Sequence, residues 1–137
     1  MTYEPIKGHS FLIPSGPAED GKHLYVLLTD RCAQGTHLAI SITSLDTSKY
    51  YDPTCILKQG EHPFIKHSIW VAYHKSEIFT SESIVAEVAR FTYMMKEPAS
   101  SELVEKMAAG ISKSKRATPK IRAYYATNQS NQTPQAV

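Results

Sequence analysis

The chain of 137 residues, 42% hydrophobic and 20% charged, has the length of one ordinary domain and enough apolar residues for a single core. No apolar run approaches the roughly 20 residues that span a bilayer. The opening Met1-Thr2-Tyr3-Glu4-Pro5-Ile6-Lys7 lacks the basic start and apolar stretch of a secretion signal, so the sequence predicts a cytoplasmic protein with no membrane segment.

In chain order, Ser10-Phe11-Leu12-Ile13 is a short apolar run stopped by Pro14, and Ser15 to Gly21 is rich in turn formers: a strand, then a mobile loop. His23-Leu24-Tyr25-Val26-Leu27-Leu28-Thr29 is nearly all apolar and short, the pattern of a strand buried on both faces. After a turn containing Gly35, His37-Leu38-Ala39-Ile40-Ser41-Ile42-Thr43 ends in apolar–polar alternation, which predicts a half-buried strand. Asp52-Pro53 marks a turn, Thr54 to Leu57 a short strand, Ser68 to Tyr73 another, and Glu77-Ile78-Phe79 a last rung. Short strands without intervening helices point to an antiparallel barrel, whose closure would remove exposed edges.

From Ser81 the character changes. Ser81 is a candidate cap for a helix with Ile84, Val85, Val88 and Phe91 on one face. Beyond Pro98, Ser100 or Ser101 caps a second, with Leu103, Val104, Met107, Ala108 and Ile111 as its stripe. Thr118-Pro119 predicts a third short helix over Lys120 to Ala126. The domain reading is a single β-barrel domain with packed helices over residues 1–112, a basic helical extension over 113–126, and a disordered Asn/Gln-rich tail over 127–137.

Charge is distributed unevenly beneath a net +2. Residues 1–105 hold nine Lys and Arg against 13 Asp and Glu; Lys106, Lys113, Lys115, Arg116, Lys120 and Arg122 then follow with no acid. Such a stripe is either an electrostatic footprint for phosphate backbones or a solvated helix end, where cations are also favoured. Cys32 and Cys55 form no CxxC pair and read as free thiols, Cys55 buried.

The phosphate motifs GxGxxG and GxxxxGK[ST] are absent, as are HExxH and GxSxG. No cofactor is expected. The polar cluster Cys55-x6-His62-x4-His67 fits no common zinc pattern, and a fourth ligand would have to come from afar, with Cys32 one candidate. Its other reading is a structured loop in which Phe64 and Ile65 pin into the barrel and the imidazoles bond loop carbonyls. No metal is expected.

His23 opens the most apolar strand and Thr43 closes the next. If the two pair antiparallel, imidazole and hydroxyl meet at the rim. Histidine exchanges protons near neutrality, and Thr43 or Ser44 can hold a phosphate oxygen, a combination suited to metal-free phosphodiester transesterification. The alternative is a pair of solvated edge residues.

Four segments together resemble the MazF/PemK (Kid) toxin superfamily. Leu24 to Asp30 is similar to that family's R-P-x-L-V-L-S-P strand, and Ile40-Ser41-Ile42-Thr43-Ser44 to its P-x-T-[ST] strand end. Thr54 to Leu57 with Ser68 to Tyr73 resembles its V-x-L … S-x-V-x-x-D pair, and Ser81 to Ile111 its helical region. The resemblance implies a small SH3-like antiparallel barrel with C-terminal helices. It further implies a metal-independent endoribonuclease acting on single-stranded RNA, homodimeric and neutralised by a cognate antitoxin protein. The family's catalytic threonine falls on Thr43, while its catalytic arginine falls on His23, a departure for which neighbouring Lys22 could compensate. The site this implies is His23 as proton shuttle and Thr43 and Ser44 as phosphate holders, with Lys22, Lys113, Lys115, Arg116, Lys120 and Arg122 gathering RNA. The rival reading is a catalytically silent barrel that binds RNA or a protein through the same rim.

Overall fold

The computed structural model describes residues 3–14 and 22–129. Among the described residues, six strands form one antiparallel sheet: β1 (Ser10–Pro14), β2 (Lys22–Leu27), β3 (Thr36–Ser44), β4 (Ile56–Leu57), β5 (Ile69–Thr80) and β6 (Met94–Lys96), in the order β4-β5-β3-β2-β1-β6. The same residues form three helices: α1 (Ser81–Ala89), α2 (Ser101–Ala109) and α3 (Pro119–Asn128). The sheet curls into a half-barrel. It does not close among the described residues, and β4 and β6 remain as its edges. These edges are two and three residues long, so brevity, rather than closure, limits the unpaired backbone they offer.

Alternation along β2 sends its side chains to two separate apolar clusters. Leu24 and Val26 join the cluster that holds Leu103, Val104 and Met107 of α2 and Ile121 of α3; Tyr25 and Leu27 join Phe11, Ile13 and Ile84 of α1. Burial on both faces explains the uninterrupted apolar run. The same two layers correct the half-buried expectation for β3, since α1 and its cluster cover the second face and Ser41 is fully buried.

β5 is one strand where two pieces were expected. Its start pairs with the end of β3 (Ser44 opposite Ile69) and its end with the start of β3 (Thr36 opposite Thr80). Tyr73 to Ser76 lie between Ala72 and Glu77, where β3 supplies only Ile40, so the irregularity bends the strand without ending it. The Ser76 hydroxyl donates to the Tyr73 carbonyl at 2.7 Å and closes the bulge.

The helix caps follow sequence chemistry. Ser100 and Thr118 are extended residues whose hydroxyls accept from Leu103 and Ile121 N–H, and Pro119 takes the first turn of α3. At α1 the cap is Thr80, one residue before the expected Ser81: Thr80 is extended and accepts from Ser83 N–H, while Ser81 is already helical. The stripe of α2 is buried as expected. That of α1 is not buried at Phe91, which is 83% exposed beyond the helix end. α3 continues through Thr127 and Asn128, two residues assigned above to the tail; residues 130–137, and the loop expected over 15–21, lie outside the described residues. Ala117 and Ile121 are part of the main core, so the basic segment packs onto the body. Among the described residues, no helix is long and apolar enough to cross a membrane.

Candidate functional site

Antiparallel register places Leu24 of β2 opposite Ile42 of β3. The residue before one and the residue after the other therefore stand side by side, and His23 Nδ1 lies 3.4 Å from Thr43 Oγ1. One residue on, β3 has turned to its other neighbour. Ser44 is opposite Ile69 at the start of β5, and the turn before β5 carries His67, whose Nε2 is 2.8 Å from Ser44 Oγ. Two strand pairings thus bring two imidazole–hydroxyl pairs to consecutive positions of one strand end.

Both pairs line a groove of about 820 Å³. Among the described residues its lining includes Lys22, Lys49, Lys66 and Lys75 against one carboxylate, Asp46. Asp46 accepts from the Ser48 hydroxyl at 2.6 Å and the Ser48 amide at 3.0 Å, and these bonds hold its pKa below the usual carboxylate value. Four lysines against that carboxylate leave the described lining positive, which favours an incoming anion. Aromatic rings complete it: Trp70, opposite Thr43 in the sheet, packs edge to face against Tyr50 at 6.1 Å and stacks on His74 at 5.8 Å. Burial, with Lys75 and Arg116 adding to it and Asp52 opposing, lowers the pKa of His74.

The C-terminal bases separate. Lys113, Lys115 and Arg116 line an adjoining hollow of about 550 Å³ that shares Tyr50 with the groove. Arg122 turns away, donating to the Ser114 carbonyl and lining a different hollow with Glu105 and Tyr125. Lys106 pairs with Glu61 at 2.9 Å, and Lys120 is exposed on the first turn of α3, lining neither the groove nor its neighbour.

The Cys55/His62/His67 cluster disperses. His62 Nε2–H donates to the Glu97 carbonyl at 2.6 Å, the kind of bond the structured-loop reading expected, while Nδ1 accepts from Phe64 N–H at 2.9 Å. Ile65 is buried; Phe64 is 39% exposed and lines the groove instead of the core. His67 bonds a side chain, and Cys55 lies buried against the Lys106 carbonyl. Both cysteines are free thiols, as expected. Burial would raise the pKa of Cys32, but bonds from Thr36, Tyr124 and Gln34 outweigh it and bring it to about 7. No group of three or more His, Cys, Asp or Glu among the described residues could hold a metal ion.

Sequence reasoning missed Lys49, Tyr50, Lys66, Trp70 and Lys75 as groove residues, and His67 as a partner of Ser44. The signal was there: once β3 pairs with β5, the segments after Ser44 and before Ile69 must share a rim. Reading the strands in sequential order concealed it. Compared with models of known protein families the chain matches none, and no functionally curated protein aligns with it significantly.

Proposed function

We propose that the groove cleaves single-stranded RNA without a metal, by attack of a 2′-hydroxyl on its own phosphate. The observation that carries this reading is the pair of imidazole–hydroxyl contacts, His23–Thr43 and Ser44–His67, lining one lysine-rich groove. One imidazole takes the proton of the 2′-hydroxyl as the new P–O2′ bond forms. The other, protonated, gives its proton to the 5′ oxygen as the P–O5′ bond breaks, leaving a 2′,3′-cyclic phosphate and a 5′-hydroxyl. No water is consumed. Thr43 and Ser44 hydroxyls donate to the non-bridging oxygens, and Lys22 with the other groove lysines stabilises their growing charge.

The finer fold assignment, an SH3-like barrel of MazF/PemK type, belongs to this proposal and rests on the four sequence segments together with the curled antiparallel sheet and its helices. Two histidines do here what the family's arginine implies, with permanent charge supplied by Lys22. A homodimer and a cognate antitoxin are part of the same reading. Growth arrest on expression, relieved by a neighbouring gene product, tests the antitoxin, and mass in solution tests the dimer.

The decisive experiment incubates the protein with single-stranded RNA in EDTA between about pH 6 and 8. Cleavage with cyclic-phosphate ends is expected, with a bell-shaped pH profile, and His23→Ala or His67→Ala is expected to slow it about 100-fold or more while RNA binding persists. Absence of cleavage, or wild-type rates in both variants, removes the nuclease; binding without cleavage would leave the silent RNA-binding barrel.

A further inference from the structure

We infer that Tyr50 is a stacking platform for an RNA base beside the reacting phosphate, and that the strand continues from it into the Lys113–Lys115–Arg116 hollow. The inference rests on the RNA reading of the groove and specifies how the substrate crosses it.

Tyr50 is 57% exposed, yet it is held on two sides. Its ring meets Trp70 edge to face, and Trp70 stands opposite Thr43 in the sheet, so one aromatic ring separates Tyr50 from the His23–Thr43 pair. On another side, Arg116 Nε donates to the Tyr50 hydroxyl at 2.6 Å, with the guanidinium carbon 4.9 Å from the ring centroid. An exposed aromatic fixed in this way contributes little to the core. It does present a π-face whose ordering cost is met before a ligand arrives.

Tyr50 also belongs to the walls of both the groove and the basic hollow, so a chain lying in one can pass over it to the other. Asp52, the hollow's carboxylate, is outnumbered by Lys113, Lys115 and Arg116. It is buried, accepts from Thr54 N–H at 2.9 Å and the Thr54 hydroxyl at 2.5 Å, and accepts from Ser114 Oγ at 2.5 Å through its second oxygen. Ser114 Oγ in turn accepts from Arg116 N–H at 3.0 Å. This chain of bonds pins the 113–116 segment to the turn behind Tyr50 and sets three cations along the exit. Cation, aromatic and catalytic pair in that order match what single strands require: charge for the backbone and a sequence-tolerant stack for the base.

The test uses the full chain and a non-cleavable 2′-O-methyl RNA dodecamer, with affinity read by fluorescence anisotropy between about 50 and 300 mM salt. Tyr50→Ala is expected to weaken binding about tenfold and Tyr50→Phe to stay within about twofold of wild type. Replacing Lys113, Lys115 and Arg116 together by alanine is expected to reduce the salt slope by about two. Moving an abasic nucleotide along the RNA is expected to reproduce the tenfold loss at one position with wild-type protein, which needs no variant to fold. If wild type binds the RNA but Tyr50→Ala binds equally well, if Tyr50→Phe loses as much as alanine, or if the abasic scan is flat, the platform is overturned and the nuclease reading stands. If wild type binds no RNA at low salt, both fall.

Discussion

His37 shows what burial does to a titratable residue that the groove leaves aside. It is fully buried; Nδ1–H donates to the Thr29 carbonyl at 3.1 Å and Nε2 accepts from the Ser81 hydroxyl at 2.6 Å. Burial lowers its pKa below the ordinary 6.5; the Thr29 carbonyl and Asp30 oppose the shift, and Arg31 and His9 add to it. A histidine depressed in the folded state takes its proton first in the unfolded chain. Its contribution is therefore complete above about pH 6.5 and is lost as pH falls through the lower folded value. His9 and His74, both also lowered by burial, slope the same way. Urea midpoints are expected to fall from pH 7 to pH 5, and His37→Gln to flatten that fall by about one proton's worth; an unaltered slope in the variant would refute the assignment. At Gly110, a Cβ would collide with the Tyr73 hydroxyl, which donates to the Met107 carbonyl at 2.6 Å, so only glycine fits beneath that buried ring.

Among the elements, α1 ends in a manner its sequence does not favour. Phe91 N–H bonds the Val88 carbonyl and Thr92 N–H the Glu87 carbonyl, the two bonds of a Schellman motif, which places Phe91 at φ 62°. That left-handed conformation suits glycine and costs a side-chain residue about 1 kcal/mol. With its side chain in solvent, Phe91 recovers little by packing, so Phe91→Gly is expected to raise unfolding free energy by about 1 kcal/mol; chemical denaturation measures it, and a loss of stability would show that the ring has a partner. The strand elements were more legible. β2 and β3 have sharp apolar patterns bounded by turns, and α2 and α3 carry strong caps at Ser100 and Thr118. β6 was not legible: Met94-Met95-Lys96 has no alternation, and it is a strand because β1 offers it a free edge.

At the scale of the molecule, the basic C-terminal segment belongs to the core. Ala117 and Ile121 are buried in the main cluster, Tyr124 and Tyr125 pack against it, and the Tyr124 hydroxyl lies 2.8 Å from that of Thr36 on β3. Burying an aliphatic side chain such as Ile121 contributes about 1.5–3 kcal/mol. Deleting residues 113–137 is therefore expected to lower the melting temperature by 10 °C or more, at about 4 °C for each kcal/mol in a chain of this size. An unchanged melting temperature would make the segment an appendage. The role of its charge is better read from substitutions at Lys113, Lys115 and Arg116 than from truncation, which would uncover the core.

By itself, the order of residues determined the local grammar: strands where apolar runs meet turn formers, helices where Ser and Thr precede amphipathic stripes, and an imidazole and hydroxyl at adjoining strand ends. Those features depend on neighbours within a few residues or on one hairpin-like pairing. Only the tertiary structure decided that β3 pairs with β5 across the intervening β4, that His67 meets Ser44, and that Tyr50 and Arg116, 66 residues apart, share one contact. Such pairings are selected by burial over the whole chain, since apolar faces seek the partner that covers them best irrespective of sequence distance, and no local pattern encodes that choice.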